Sequence, residues 1–430
     1  MVDGPPGIKR DIGVKQGVVS LRALFGQDAD ILHDDDFQVL LLAGLTAPLG
    51  AALLSPLLGT LAGPFGVSSA RIGLLMSAFT APSIFLIPVA GMISDRVGRK
   101  PVLIVGLVLF GIGGCGLAGT TTFEVALLLR LVQGVGGAGI LPVIITSIGD
   151  IYTGTAETTA QGFRFTSSGV TQTVFPAIAG FLVAFGWQYP LLLYGIAFLI
   201  AGVVLVVLDE PGLQRTRTDR TAATSDSGAE AFLEAIRQRR VLGLLVVYGI
   251  PPAVYIGFLT YISIVVVRLL DGTPAQAGVL VAAMNVVKAA AASQAGRIAA
   301  WFDEQIVLLA GANVLLGGGL TTVALAPSVL VVGVGVIMLG GGSGVLMSLY
   351  RSLLTQLSPG RVRGSMVSVG ESIIRLGMTL FPIVAGAMIT FTETVVGFEA
   401  AVRWTLSGLT VTGIVFSVVA LLVARPSEGA

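Results

Sequence analysis

Four charged side chains stand inside long apolar stretches of this sequence: Arg130, Lys288, Glu371 and Arg375. A charge kept away from water is costly and persists where it pairs or meets a polar ligand. Counted from the nearer ends of their apolar runs, Lys288 and Arg375 lie about 8 and 9 residues deep, roughly 12–14 Å at 1.5 Å per residue. Both depths are close to the middle of a bilayer. Glu371 and Arg375 are four residues apart and can pair along one helix face. Asn285, one turn from Lys288, and Gln172 add uncharged polar company. Three positive charges against one negative suit an anionic ligand. A set of structural pairs holding helices together accounts for the same residues. Glu371 is the one carboxylate in this inventory, and a Glu371–Arg375 contact that breaks and re-forms would let it take up and release a proton.

Acid and base also meet in Gly91-Met92-Ile93-Ser94-Asp95-Arg96-Val97-Gly98-Arg99-Lys100, between the second and third apolar runs. Asp95 with Arg96, Arg99 and Lys100 can form an ion-pair cluster at a helix–helix seam; a plain basic anchor is the simpler alternative. Arg130 opens a second pattern, Arg130-Leu131-Val132-Gln133-Gly134-Val135-Gly136. Asp150 closes the same apolar run on the side of the Asp95 cluster.

The elements that must position these groups follow from composition. Of 430 residues, 54% are hydrophobic and 11% charged, and mean hydropathy is +0.92. A soluble fold so poor in charge would expose large apolar patches. Fifty-eight glycines suit closely packed membrane helices. Measured against the ~20 residues that span a bilayer, the chain holds twelve apolar runs, near 38–63, 72–93, 102–119, 125–148, 165–186, 189–208, 241–267, 275–296, 306–326, 328–350, 366–391 and 400–424. Strand-like alternation is absent, so the expected fold class is an all-α polytopic membrane protein. Residues 1–36 read as a polar tail, with 18–32 at roughly helical spacing, and 37–208 as a first six-helix half. Residues 209–240 read as a linker whose end, 229–240, is amphipathic, and 241–430 as a second half. Pro251-Pro252, flanked by Tyr248 and Tyr255, should interrupt the seventh run.

Two halves are also written as a repeat. Thr173-x-Phe175-Pro176-x-x-Ala179-Gly180 recurs as Thr379-x-Phe381-Pro382-x-x-Ala385-Gly386, 206 residues later. Gly91 and Gly106, expected to bracket a loop, recur 205 residues on as Gly296 and Gly311, and Gly136-Gly137-Ala138-Gly139 recurs as Gly341-Gly342-Ser343-Gly344. If the N-terminus is cytoplasmic, nineteen Lys and Arg face the cytoplasm and three, Arg71, Arg268 and Arg403, face outside. That asymmetry predicts cytoplasmic termini in a plasma-membrane protein.

The Asp95 pattern resembles the G-x-x-x-D-R-x-G-R-K loop of the major facilitator superfamily at every fixed position, and the Arg130 pattern resembles that family's R-x-x-Q-G-x-G. The resemblance implies a twelve-helix transporter that rocks two halves about a central site. It further implies a gating cluster at Gly91, Asp95, Arg96, Gly98, Arg99, Lys100 and Asp150, and coupling roles for Arg130 and Gln133. Phe175-Pro176 stands where drug:proton antiporters carry Gly-Pro, and the second copy of the loop has Asp303 and Glu304 in place of bases.

The composition excludes other classes. A net charge of +1 gives nucleic acid no electrostatic footing. One cysteine, Cys115, and one histidine, His33, leave no disulfide framework, metal site or nucleophile–base pair, and no cofactor is called for. Gly111-x-Gly113 and Gly134-x-Gly136 match a dinucleotide pattern but lie inside apolar runs, and no G-x-x-x-x-G-K-[ST] loop supplies ATP chemistry. The expectation is a monomeric secondary transporter of a small organic solute, exporting it against protons; uptake or exchange of an anionic metabolite is the alternative.

Overall fold

The computed structural model describes residues 31–210, 239–302, 304–357 and 363–423. Residues 1–30, with all but the last two residues of the 18–32 segment, and 211–238, with most of the amphipathic end of the linker, lie outside them. Twelve helices are long and apolar enough to cross a membrane: α1 Asp35–Leu61, α2 Leu74–Val97, α3 Arg99–Gly119, α4 Phe123–Ile151, α5 Thr155–Phe185, α6 Tyr189–Val207, α7 Gly243–Leu269, α8 Pro274–Ala299, α9 Gln305–Leu325, α10 Val329–Tyr350, α11 Val369–Val396 and α12 Phe398–Leu421. Each matches one apolar run of the sequence.

The differences sit at the helix ends. Hydropathy marks where a helix leaves hydrocarbon, not where it stops, so polar turns extend several helices. Helix α5 begins at Thr155, ten residues ahead of its apolar run, and carries Arg164 in that polar extension. Gly91 and Gly106 do not bracket a loop: both are helical, and α2 and α3 are separated by Gly98 alone, at φ 110° and ψ 160°. Only glycine adopts that backbone readily. Helix α8 starts with a capping box, Thr273 and Gln276 exchanging side-chain and backbone hydrogen bonds, with Pro274 in the first turn.

The proline pair of α7 is absorbed rather than broken open. The helix turns at Gly249 and restarts at Ile250, so Pro251 and Pro252 fall in a first turn, where a missing N–H is tolerated. Helix α1 is likewise segmented, with a 3-10 turn at Ser55–Leu57.

The repeat is visible in the packing. A Cβ on Gly106 would meet Gly136, and one on Gly342 would meet Ala312, the same pair 206 residues on. Gly113 lies against Leu129 and Gln133 of α4 just as Gly319 lies against Gly335 and Leu339 of α10. Glycine here lets two helix backbones approach within side-chain distance. Large apolar side chains such as Phe85, Val206 and Leu330 are exposed, as the surface of a bundle set in lipid allows.

Helices α2 and α11 form one seam between the halves, and α5 and α8 the other. The hydrogen bonds joining the halves among the described residues run from mid-depth to the end opposite the α2–α3 turn. Ser55 donates to the Leu259 carbonyl, Ser263 to that of Pro56, and the Gly59 N–H to the Ser263 hydroxyl. Ser77 donates to the Thr379 carbonyl, and the Thr80 and Thr379 hydroxyls meet at 2.9 Å. Gly180 abuts Pro274, Gly278 abuts Pro176, and Gly386 abuts Ala70. That end of the bundle is closed.

Candidate functional site

At the α2–α3 turn, Arg99 gathers the cluster. Its Nη1 donates to Asp95 Oδ1 at 2.7 Å and to Ser94 Oγ at 2.6 Å, and its Nε to Asp150 Oδ2 at 3.0 Å. The guanidinium is buried and both carboxylates are partly so, Asp95 more than Asp150. A shared, charge-assisted set of this kind fixes three helix ends together, those of α2, α3 and α4. One member was not legible in the sequence. The Glu210 carboxylate, just past α6, accepts from the main-chain N–H groups of Arg99 (2.5 Å) and Lys100 (3.2 Å) and so caps the start of α3. Gly98 leaves room for it: a Cβ there would collide with the Glu210 carboxylate. Arg96 and Lys100 are the more exposed basic residues of the pattern. Beside this cluster the Tyr152 hydroxyl donates to Asp34 at 2.5 Å, and burial with that carboxylate pushes the phenol up.

Arg130 and Gln133 lie elsewhere. Arg130 is fully buried in the first half: Nε donates to the Leu75 carbonyl, Nη2 to that of Gly50, and Nη1 to Gln133 Oε1. Its guanidinium stands 4.5 Å from the Phe79 ring centroid, and Tyr194 also donates to Gly50. No carboxylate is among these partners. The arrangement ties α4 to α1 and α2.

Gln172, Asn285 and Lys288 do come together, at the α5–α8 seam. Gln172 Oε1 accepts from Lys288 Nζ at 3.0 Å and from the Tyr255 hydroxyl at 3.0 Å. The same hydroxyl lies 3.3 Å from Asn285 Oδ1. Asn285 Nδ2 donates to the Gln172 carbonyl at 2.9 Å and to that of Val281, one turn back on its own helix. Lys288 Nζ stands 4.4 Å from the Tyr255 ring centroid, a cation–π contact. Lys288 lies fourteen residues from the start of α8, about 21 Å along a helix rising 1.5 Å per residue, so the cluster is at mid-depth. Tyr255 was flagged in the sequence only as a neighbour of the proline pair. The restart of α7 at Ile250 sets the phase that aims it at Gln172.

Glu371 and Arg375 occupy successive turns of α11. Arg375 Nε is buried without a hydrogen-bond partner among the described residues. A groove of about 620 Å³ lined by Ala70, Arg71, Leu74, Ile383 and Thr390 lies between α2 and α11 near the closed end, away from these groups. Among the described residues no group of three or more His, Cys, Asp or Glu gathers as a metal site.

The family model of the Major Facilitator Superfamily matches residues 40–382. The chain belongs to that superfamily. Curated relatives include the bacillibactin exporter of Bacillus subtilis, 31% identical over 34% of this chain and 38% of its own length, and multidrug resistance protein 2 of the same organism, 28% identical over 40% and 43%. The quinolone resistance protein NorA of Staphylococcus aureus is 26% identical over 37% and 41%. The chain thus spans about two-fifths of the length of these relatives. Solved major facilitator structures share its fold. A bacterial homologue of the lysosomal transporter Spinster, inward-facing and unoccupied, aligns with TM-score 0.76 at 18% identity over 91% of this chain and 98% of that one. A D-xylose–proton symporter aligns with TM-score 0.66 at 16% identity over 89% and 96%. Membership of this superfamily points to transport, not catalysis, and to a multi-pass membrane protein.

Proposed function

We propose that this chain is a secondary active transporter that carries a small organic solute across the plasma membrane by rocking its two halves about the mid-depth cluster. The observation that carries this is the distribution of contacts between the halves. Among the described residues they close one end of the bundle and reach in to Gln172, Tyr255, Asn285 and Lys288, where the polar residues of both halves meet. Transporters of this architecture place substrate near the midplane between repeats. The Lys and Arg excess supports assigning the Asp95 end, with both termini, to the cytoplasm; the contacts then describe a state sealed outside. In that setting the Arg99 cluster acts as a cytoplasmic gate.

Export coupled to protons is the direction we favour. The relatives named above are an exporter and two resistance proteins, and Glu371 beside Arg375 offers a carboxylate for the proton. Everted membrane vesicles expressing the protein test this. Adding a quinolone to vesicles holding an acid interior should dissipate the pH gradient and load the drug inside, and a protonophore, which collapses the gradient by itself, should abolish the loading. Drug loading unaffected by the protonophore would overturn the coupling. The second reading, uptake or exchange of an anionic metabolite, is favoured by Lys288, whose partners among the described residues are uncharged.

A further inference from the structure

The Lys288 ammonium is held by a neutral amide oxygen and an aromatic face, and no carboxylate lies within ion-pair distance of it among the described residues. An ammonium has three N–H donors, and one is spent on Gln172. The Tyr255 hydroxyl points at the same oxygen. Two donors from the second half, one of them cationic, therefore converge on a single oxygen that the first half supplies. Gln172 contributes to the seam with its main-chain carbonyl as well, through Asn285. An amide oxygen is a neutral acceptor for a cation; a carboxylate in its place would add an opposite charge to the hydrogen bond.

Seam packing does not demand this arrangement. The α2–α11 seam is related to the α5–α8 seam by the repeat, and there the counterparts of Asn285, Lys288 and Gln172 are Thr80, Ser83 and Met378. That seam closes with the hydroxyls of Ser77, Thr80 and Thr379 and holds no charge at those positions. At these three positions the cation is found in one seam only; in the other, Arg375 of α11 stands one turn from Met378.

We propose that the Gln172 side-chain oxygen keeps the place of a ligand oxygen: the solute bears a carboxylate that binds Lys288 and Tyr255, and its arrival displaces Gln172. Binding then releases the side-chain latch between α5 and α8, so the same event that recognises the solute loosens the seam that must open. This rests on the mid-depth cluster being the transport site.

The test uses the full chain in detergent, with aromatic and aliphatic carboxylates set against their primary amides and thermal unfolding as the readout. A ligand that binds only the folded state raises the melting temperature by mass action. Carboxylates should stabilise the protein and the matched amides should not. Lys288→Met should weaken carboxylate binding about tenfold or more, a loss of about 1.4 kcal/mol or more, while Lys288→Arg, which keeps the charge, should retain it and guard against a folding defect. Gln172→Glu supplies the carboxylate from within: it should raise the melting temperature of the ligand-free protein and abolish carboxylate binding. Gln172→Leu removes the competitor and should tighten binding. Equal binding of amides, no shift with any carboxylate, or unimpaired carboxylate binding by Gln172→Glu would each overturn the proposal. Quinolone transport in everted vesicles separates this from the reading beneath it. Gradient-driven transport unchanged in Lys288→Met overturns the carboxylate site and leaves the transporter standing. Absence of gradient-driven transport in the wild type overturns proton-coupled export, and the binding series still decides the carboxylate site.

Discussion

The main-chain N–H of Arg99 donates to Glu210 Oε1 at 2.5 Å, tying the first residue of α3 to a carboxylate 111 positions later, just beyond α6. The side chain of the same arginine reaches the other way, to Asp95 and Asp150. Arg99 is thus the point at which the ends of α2, α3, α4 and α6 are joined, and the Asp95 pattern works as a helix junction.

Glu210 supplies both a cap and a negative charge to the α3 N-terminus. Each such contribution is worth about 0.5–2 kcal/mol. Glu210→Ala should therefore lower the thermal unfolding midpoint, with Glu210→Gln in between, because the amide keeps an acceptor and loses the charge. A midpoint unchanged in both would remove Glu210 from the junction.

Two glycines of one pattern should answer differently to alanine. Gly98 has φ 110° and faces the Glu210 carboxylate, so Gly98→Ala should cost about 1–3 kcal/mol. Gly91 is helical with open space where a Cβ would go, and there alanine is favoured by about 0.5–1 kcal/mol. Side-by-side melting curves of the two variants check the contrast.

Asp95→Asn should leave the protein inserted and folded while slowing transport severely. Arg99 keeps Asp150 as a partner, so the loss falls below the roughly 3–5 kcal/mol of a fully orphaned buried ion. Asp150→Asn should behave alike. The double variant, which strips Arg99 of both, should cost more than the two singles added, since residues sharing one network are not independent. Transport rates and melting points of all four proteins complete the cycle; wild-type transport in Asp95→Asn would rule the cluster out as a gate.

Arg130 holds the carbonyls of Leu75 and Gly50 through a planar fork that lysine cannot reproduce. Arg130→Lys should destabilise the first half by about 1–3 kcal/mol for a buried acceptor left unpaired. Limited proteolysis and melting would register it even in protein that is never asked to transport.

Glu371→Gln should retain solute exchange, now independent of pH, and lose uphill accumulation. Counterflow and gradient-driven uptake measured on the same vesicles separate the two. Accumulation with an unchanged pH profile would show that the proton travels by another route.

Twelve apolar runs, each long enough to cross a bilayer, and a motif repeated after 206 residues are local or periodic properties, so the sequence alone determined the number of helices, their order and the two halves. It also placed Lys288, Gln172 and Asn285 among the candidates, because a cation or amide inside an apolar run stands out wherever it sits. Partnership was another matter. Glu210 and Arg99 are 111 residues apart, and Gln172 and Lys288 are 116 apart, in different halves. No spacing rule reaches across such distances; only the packing of α3 on α6, where Gly111 meets Phe198 and Gly114 meets Tyr194, and of α5 on α8 through Gly180 and Gly278, brings those groups within 3 Å or so of each other. The same packing sent Arg130 away from the mid-depth cluster and gave Tyr255 its place there. The sequence chose which charges to bury; the tertiary structure decided what holds them, main-chain carbonyls and Gln133 for Arg130, and an amide oxygen with an aromatic face for Lys288.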